Sequence, residues 1–355
     1  MSWATELFEY GHNIRALGMG MAYTALARDT DALYYNPAAF AEISGLRLRP
    51  FDIGVGVNGQ EVMDTVSEFT TFDSLEDLNG LYGKRPWIGF GLRVAFAMPY
   101  FGFGVYDSGF ASFYLTNPAM PAMNVNYAND MAFAMGGGIH LAPGLSFGIT
   151  GKRILRQGYR GDIPLTTLAS NGSGSALLEE ISNRGWGYGV DLGLLYVIKA
   201  PVLTTSLAAV WKDAGDTSFQ KESGKDSPPH IDGNQILGAA VDADLFIGNL
   251  IATVDYRHAN EKVDLGKKLH AGLELSLPLL DIRGGFSQGY YSYGMTLDLW
   301  LLQIDLATYG VELGAYPGQT EDRRYMLTIS SELGFDPNFS FNDSTGRRRK
   351  LKQRR

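Results

Sequence analysis

From Leu46 to Phe335 the chain repeats one theme, stretches of about ten residues with apolar side chains at every second position. Successive side chains of a β-strand point to opposite faces, so a period of two gives each stretch one apolar and one mixed face. Val190, Leu192, Leu194 and Tyr196 alternate with Asp191, Gly193 and Leu195. Leu237, Ala239, Val241, Ala243 and Leu245 alternate with Gly238, Ala240, Asp242 and Asp244. Leu250, Ala252, Val254 and Tyr256 stand against Thr253, Asp255 and Arg257, and Leu269, Ala271, Leu273, Leu275 and Leu277 against His270, Gly272, Glu274 and Ser276. A helix would scatter these charges around its circumference, whereas here they share a face. An apolar face toward lipid and a polar face toward a lumen is the pattern of a transmembrane barrel.

The spacing predicts strands over 46–58, 87–97, 100–115, 124–141, 145–158, 186–198, 202–213, 235–247, 250–259, 267–277, 279–288, 291–300, 302–314 and 323–335. That is about fourteen strands, an even number as in bacterial single-chain barrels. Their connections alternate along most of the chain between short and long. The short ones are Met98-Pro99, Ala142-Pro143-Gly144, Lys199-Ala200-Pro201, Gly248-Asn249 and Pro278; the long ones cover about 59–86, 159–185, 214–234 and 260–266. Outer-membrane barrels have short periplasmic turns and longer external loops, which predicts that both chain ends face the periplasm. Two of the long loops carry amphipathic segments, Glu61, Val62, Val66, Phe69 and 75–81, and then Leu177, Leu178 and Ile181. These read as caps over the mouth or as places where an apolar ligand is caught.

Ahead of the strands lies a stretch of small and apolar residues too broken by Gly, Asp and Pro for one long helix. It contains Arg15-Ala16-Leu17-Gly18-Met19-Gly20, the acidic Asp29-Thr30-Asp31, and Tyr34-Tyr35-Asn36-Pro37-Ala38. These residues resemble the N-terminal hatch of the FadL/PorV-like outer-membrane barrels, with Met21 departing from the second small residue carried by many relatives. The family includes transporters of long-chain fatty acids and hydrocarbons and also barrels that serve secretion machinery. The resemblance implies a hatch over 1–44 with Arg15, Gly18, Gly20, Tyr34, Asn36, Pro37 and Ala38 as its key residues, and a barrel over 45–335. It further implies passage of a hydrophobic small molecule across the outer membrane, or alternatively a plugged adaptor barrel that partners a larger machine.

The inward charges Asp191, Asp242, Asp244, Asp255, Arg257, Glu274, Asp298 and Asp305 are expected to face the lumen, since an ionisable group in hydrocarbon must pair or turn inward. Most would hydrogen-bond the hatch, and some would line a pathway. Pro99, which cannot donate to a ladder, with Gly102 and Gly104 beside it, marks a candidate gap in the wall. The alternation in 323–335 ends on Phe335, as in the aromatic-ending strands read by the barrel-assembly machinery. Residues 336–355 then form a basic tail, expected to be disordered, with a protein partner at the tail or loops as the sharper reading.

Composition narrows the alternatives. Among 355 residues there are 44 Gly, 19 Tyr and 19 Phe but only 19% charged residues, a β-rich balance. No run of about eighteen apolar residues exists to form a transmembrane helix, and a mean hydropathy of -0.08 is compatible with transmembrane strands. A net charge of -8 argues against nucleic-acid binding. With no cysteine, there is no disulfide framework and no thiolate metal site. A bacterial outer-membrane location is expected from the barrel pattern, with no signal peptide in this numbering, since Met1 to Glu6 has neither a basic nor an apolar leader region.

Gly54-Val55-Gly56-Val57-Asn58-Gly59 fits the dinucleotide fingerprint, yet 46–58 alternates where a buried parallel strand would be continuously apolar. The same Gly-x-Gly spacing recurs at 89/91, 102/104, 136/138 and 187/189, which makes it a property of the strands that leaves room for a plug. Gly285-Phe286-Ser287-Gln288-Gly289 matches a nucleophile elbow but is followed by another alternating stretch, not a helix. The five histidines show no metal-ligand spacing. The expectation is a non-enzymatic barrel without cofactor or metal, in contact with outer-membrane lipid.

A closed barrel resists SDS until boiled. The detergent-extracted protein is expected to shift mobility between unheated and boiled samples on a gel; a single unchanged band would overturn the barrel.

Overall fold

The computed structural model describes residues 6–7, 13–59, 62, 82–116, 122–164, 182–299 and 301–335. The amphipathic segments expected in the two long loops, Val62 apart, and the basic tail lie outside the described residues.

Fifteen antiparallel strands follow one another: β1 (Leu46–Val57), β2 (Trp87–Met98), β3 (Phe101–Thr116), β4 (Ala122–Ala142), β5 (Leu145–Pro164), β6 (Arg184–Lys199), β7 (Leu203–Lys212), β8 (Phe219–Ser223), β9 (Asn234–Asp244), β10 (Asn249–Tyr256), β11 (Leu269–Ser276), β12 (Leu280–Ser287), β13 (Tyr290–Leu299), β14 (Leu302–Glu312) and β15 (Glu321–Phe335). Fourteen of them pair in sequence order into a closed ring, sealed between β1 and β15 with Leu46 opposite Phe335. The predicted strands match these fourteen to within a few residues at most ends, with β5 running six residues further. The extra strand, β8, has no alternation to betray it. Left-handed residues Asp213, Gly215 and Asp216 turn the chain after β7, and Phe219 to Ser223 then take up the ladder along the start of β6.

Burial is inverted relative to a water-soluble protein. Leu273 is 57% exposed while its neighbour Glu274 is 1% exposed, and the same inversion runs around the ring. Phe133, Ile149, Leu194, Val254, Ile282 and Leu306 stand on the outer surface, and Asp191, Asp255, Arg257 and Arg283 are buried within. Such a surface is stable only against lipid, and the protein is a membrane-spanning β-barrel. With 16, 21 and 20 residues, β3, β4 and β5 are longer than the nine to eleven or so that a membrane strand needs. Their external ends enclose a second small core of Phe113, Leu115, Met123, Val125 and Ile163.

The expected gap at Pro99 is absent. Pro99 occupies the tight turn between β2 and β3, outside the ladder, where its missing N–H costs nothing, and pairing runs unbroken from Trp87↔Ser112 to Met98↔Phe101. Gly102 and Gly104 face inward, and a Cβ on them would lie 2.4 Å from the Phe40 ring and 2.8 Å from the Tyr34 hydroxyl. They clear space for the lumen's contents. Wall irregularity sits instead on β1, whose register slips by one residue against both neighbours around Pro50. This bulge reverses the parity of the strand, so Arg47 and Arg49 before it and Asp52 after it all face inward.

Leu273→Arg places a charge on the lipid face in mid-strand. It is expected to cost about 2–4 kcal/mol, measured by urea unfolding in vesicles.

Candidate functional site

The lumen is filled by residues 13–44. Asn13 caps a short helix, α1 (Ile14–Gly18), by accepting from the Arg15 amide, and Gly20 and Met21 then turn the chain with φ near +63° and +66°. Here the segment lies directly on the wall. A Cβ on Gly285 would stand 2.2 Å from the Gly20 nitrogen, on Gly272 2.5 Å from the Met19 oxygen, and on Gly294 2.9 Å from the Gly18 Cα. Met21 takes a left-handed backbone that disfavours a side chain by about 1–2 kcal/mol; Arg257 holds it there by donating to the Met21 carbonyl at 3.1 Å.

After a 3-10 turn at Asp29–Leu33, a second one begins at Pro37, capped by the Asn36 side chain, which accepts from the Ala38 amide. This is the second seat. A Cβ on Gly148 would stand 2.2 Å from the Pro37 carbonyl carbon, on Gly193 2.3 Å from Asn36 Oδ1, and on Gly138 2.6 Å from the Pro37 oxygen. Asn36 Nδ2 donates to the carbonyls of Leu194 and Thr24. The two seats, on β4 to β6 and on β11 to β13, are about six strands apart in a ring of fourteen. The segment is therefore wedged across the bore.

Buried charges lock it in place. Arg15 donates through Nε and Nη2 to both oxygens of Glu274, each at 2.8 Å, and Arg283 donates to the same carboxylate. Asp255 accepts from the Tyr23 and Thr24 amides, from the Thr24 hydroxyl and from Arg257. Arg49, on the bulged stretch of β1, links Asp31 of the segment at 2.8 Å to Glu332 of β15 at 2.9 Å, while Arg93 pairs with Asp52. Burial alone would raise the Asp31 carboxyl, yet Arg49 and Arg93 hold it below the usual carboxylate range.

The other expected lumen residues divide. Asp191 is buried but belongs to a wall cluster, with Lys152 Nζ 2.8 Å from both Asp191 and Asp213. Asp305 accepts from the Thr296 hydroxyl near Arg283, and Asp298 is buried close to the turn after β13. Asp242 is half-buried and accepts from Asn249. Asp244, expected inside, is exposed because β9 ends there, beyond the wall's cover. Within residues 13–44, Tyr34 packs edge-on against Tyr106. Arg49 and Asp52, which gather with Asp31 and Arg93, escape a sequence reading because strict alternation puts them on opposite faces; only the bulge brings them together.

A cavity lies on each side of the segment. The one toward the short turns spans about 600 Å³ and is charged, with Asp29, Asp31, Arg49, Asp281, Arg283 and Glu332 in its lining. The one toward the external loops spans about 670 Å³, part of it open, with Leu17 and Met21 of the segment facing Trp87, Phe110, Val311 and Tyr309. Trp87 is fully buried, and a Cβ on Gly89 or Gly56 would fall 2.4 or 3.0 Å from its ring. The guanidinium of Arg324 stacks 4.3 Å from the indole and is bound by Glu6 at 2.7 Å and Asp322 at 2.8 Å. Gly285 to Gly289 form a strand and a tight hairpin turn, not the strand-to-helix elbow of a hydrolase.

No family model and no curated protein matches the chain. Solved structures do. The toluene transporter TodX of P. putida aligns with a TM-score of 0.50 and 13% identity over 90% of this chain and 98% of that one. Two variants of the TodX monoaromatic hydrocarbon channel, deltaS2 and deltaS2S3, align at 0.51 and 0.50 with 13% and 14% identity, each over 93% of this chain and 99% of theirs. At such identities the likeness is one of fold.

Asp255→Ala strips acceptors from two amides of the segment and leaves Arg257 without its partner carboxylate. It is expected to cost about 3–5 kcal/mol and to raise single-channel conductance in planar bilayers, as is the pair Asn36→Gly with Pro37→Ala.

Proposed function

We propose, taking a FadL-type outer-membrane barrel as the premise, that the chain binds small hydrophobic molecules at its external mouth and passes them across the outer membrane, with residues 1–44 as the hatch. The observation that carries this reading is the external cavity, whose floor is made of Leu17 and Met21. A molecule bound there touches the one element that has to move. Leu17, Met21, Phe110 and Val311 in its lining suit a small apolar ligand. The chamber beneath is lined by paired charges, and an apolar molecule gains nothing by entering it. Exit therefore requires the hatch to shift or the wall to part. Arg49 joins both events, because it sits beside the Pro50 bulge and holds Asp31 of the hatch. That TodX is a toluene transporter supports a hydrophobic cargo.

The adaptor reading has its own observation in the long β3 to β5 strands, whose external ends form a core of their own and offer a partner a rigid surface. Stable co-purification of one large partner, with no ligand binding, would favour it.

Phe110 is the residue to test. The purified barrel is expected to retain a panel of small apolar probes saturably above empty micelles, and Phe110→Asp to weaken retention at least about tenfold, the cost of placing a charge in an apolar pocket. A heat-modifiable barrel that retains none of the panel would overturn transport.

A further inference from the structure

Resting on the external cavity as the binding site, we infer that its ligand is a neutral molecule with a hydrogen-bond acceptor on an otherwise apolar body. Two side chains of that lining carry a buried donor left unused among the described residues: the indole nitrogen of Trp87 has no hydrogen-bond partner, and the hydroxyl of Tyr309, set beside the Arg324 guanidinium, still has its own O–H to donate. Both side chains are more than nine-tenths buried, at 1% and 5% exposure. They come from different strands, β2 and β14, and both line this cavity.

Their chemistry restricts what fills the space. An indole N–H is a donor with no acceptor capacity, and a phenol can donate as well. A ligand that displaces water from the cavity removes whatever hydrogen bonds that water made. A plain hydrocarbon leaves both donors stranded, whereas a carbonyl, ester or ether oxygen replaces the bond. A carboxylate would also accept, but the cavity has no cation to spare for it. Arg324 already binds Glu6 and Asp322, and Glu6 itself lines the cavity with a negative charge. An anionic head would meet that charge or have to break the pair. Leu17, Phe110 and Val311 in the same lining suit an apolar body.

The test compares ethylbenzene, acetophenone and benzoate, close in size and differing in a methylene, a carbonyl and a carboxylate. Binding is measured by isothermal titration calorimetry on the full chain in detergent, with protein-free micelles subtracted. Acetophenone is expected to bind about three- to tenfold tighter than ethylbenzene, the span of one net hydrogen bond, and benzoate weaker than both. Trp87→Phe keeps an aromatic ring and removes the N–H, so it should lower the affinity for acetophenone more than that for ethylbenzene and erase the preference between them; Tyr309→Phe should reduce the preference in the same sense. Heat-modifiability on gels verifies that each variant is folded. Equal affinity for ethylbenzene and acetophenone, tightest binding of benzoate, or equal loss of both neutral probes in Trp87→Phe would overturn the inference while leaving the pocket standing. Failure of the folded wild-type barrel to bind any of the three would overturn the pocket itself.

Discussion

A ring of fourteen strands encloses more space than its own inward side chains can fill, and the contact that resolves this is backbone against backbone. Gly18 to Gly20 lie on Gly272, Gly285 and Gly294, and Asn36 to Ala38 lie on Gly138, Gly148 and Gly193. Any side chain at these positions would push the lumenal segment off the wall. The approach puts the capped turns of the segment at fixed depths in the bore, and the division into an external and a lower cavity follows from where those turns sit.

Electrostatics then makes the wedge specific. A carboxylate or guanidinium removed from water is costly unless its partner is in place. Glu274 without Arg15, or Asp255 without the Tyr23 and Thr24 amides, would be a liability, so the wall and the segment stabilise each other or neither is stable. The same pairing explains why the lower chamber is polar although the molecules proposed to cross are not. Asp31, Arg49 and Glu332 join the segment, β1 and β15 at the seam where the ring closes. The wall's most irregular place is thus tied to the element filling the lumen.

Strand order and the inward face of most strands were legible because lipid on one side and a polar interior on the other impose a period of two on nearly every stretch. The exceptions had physical causes. At Pro50 an added residue breaks the period, so Arg49 and Asp52 read as opposed when they are neighbours. At Phe219 to Ser223 the strand lies beside the external end of β6, where no lipid enforces alternation. Pro99 looked like a flaw because proline cannot donate to a ladder, but it sits in a turn where no donor is needed.

The candidate site was less legible than the wall. Arg15, Asn36 and Pro37 could be picked out from the lumenal stretch, and Asp255, Arg257 and Glu274 from their inward positions, because each of those signals is local to one segment. Which of them meet was not, since Arg15 and Glu274 are 259 residues apart and join only when the ring closes. Trp87, Phe110 and Tyr309 carried no signal as single residues, for an inward aromatic on a barrel strand has many uses. The sequence by itself determined a membrane barrel with something inside it, because the period of side chains is a property of each strand alone. The tertiary structure decided which side chains line the cavities of that interior, because a cavity is bounded by strands from all around the ring and exists only where they converge.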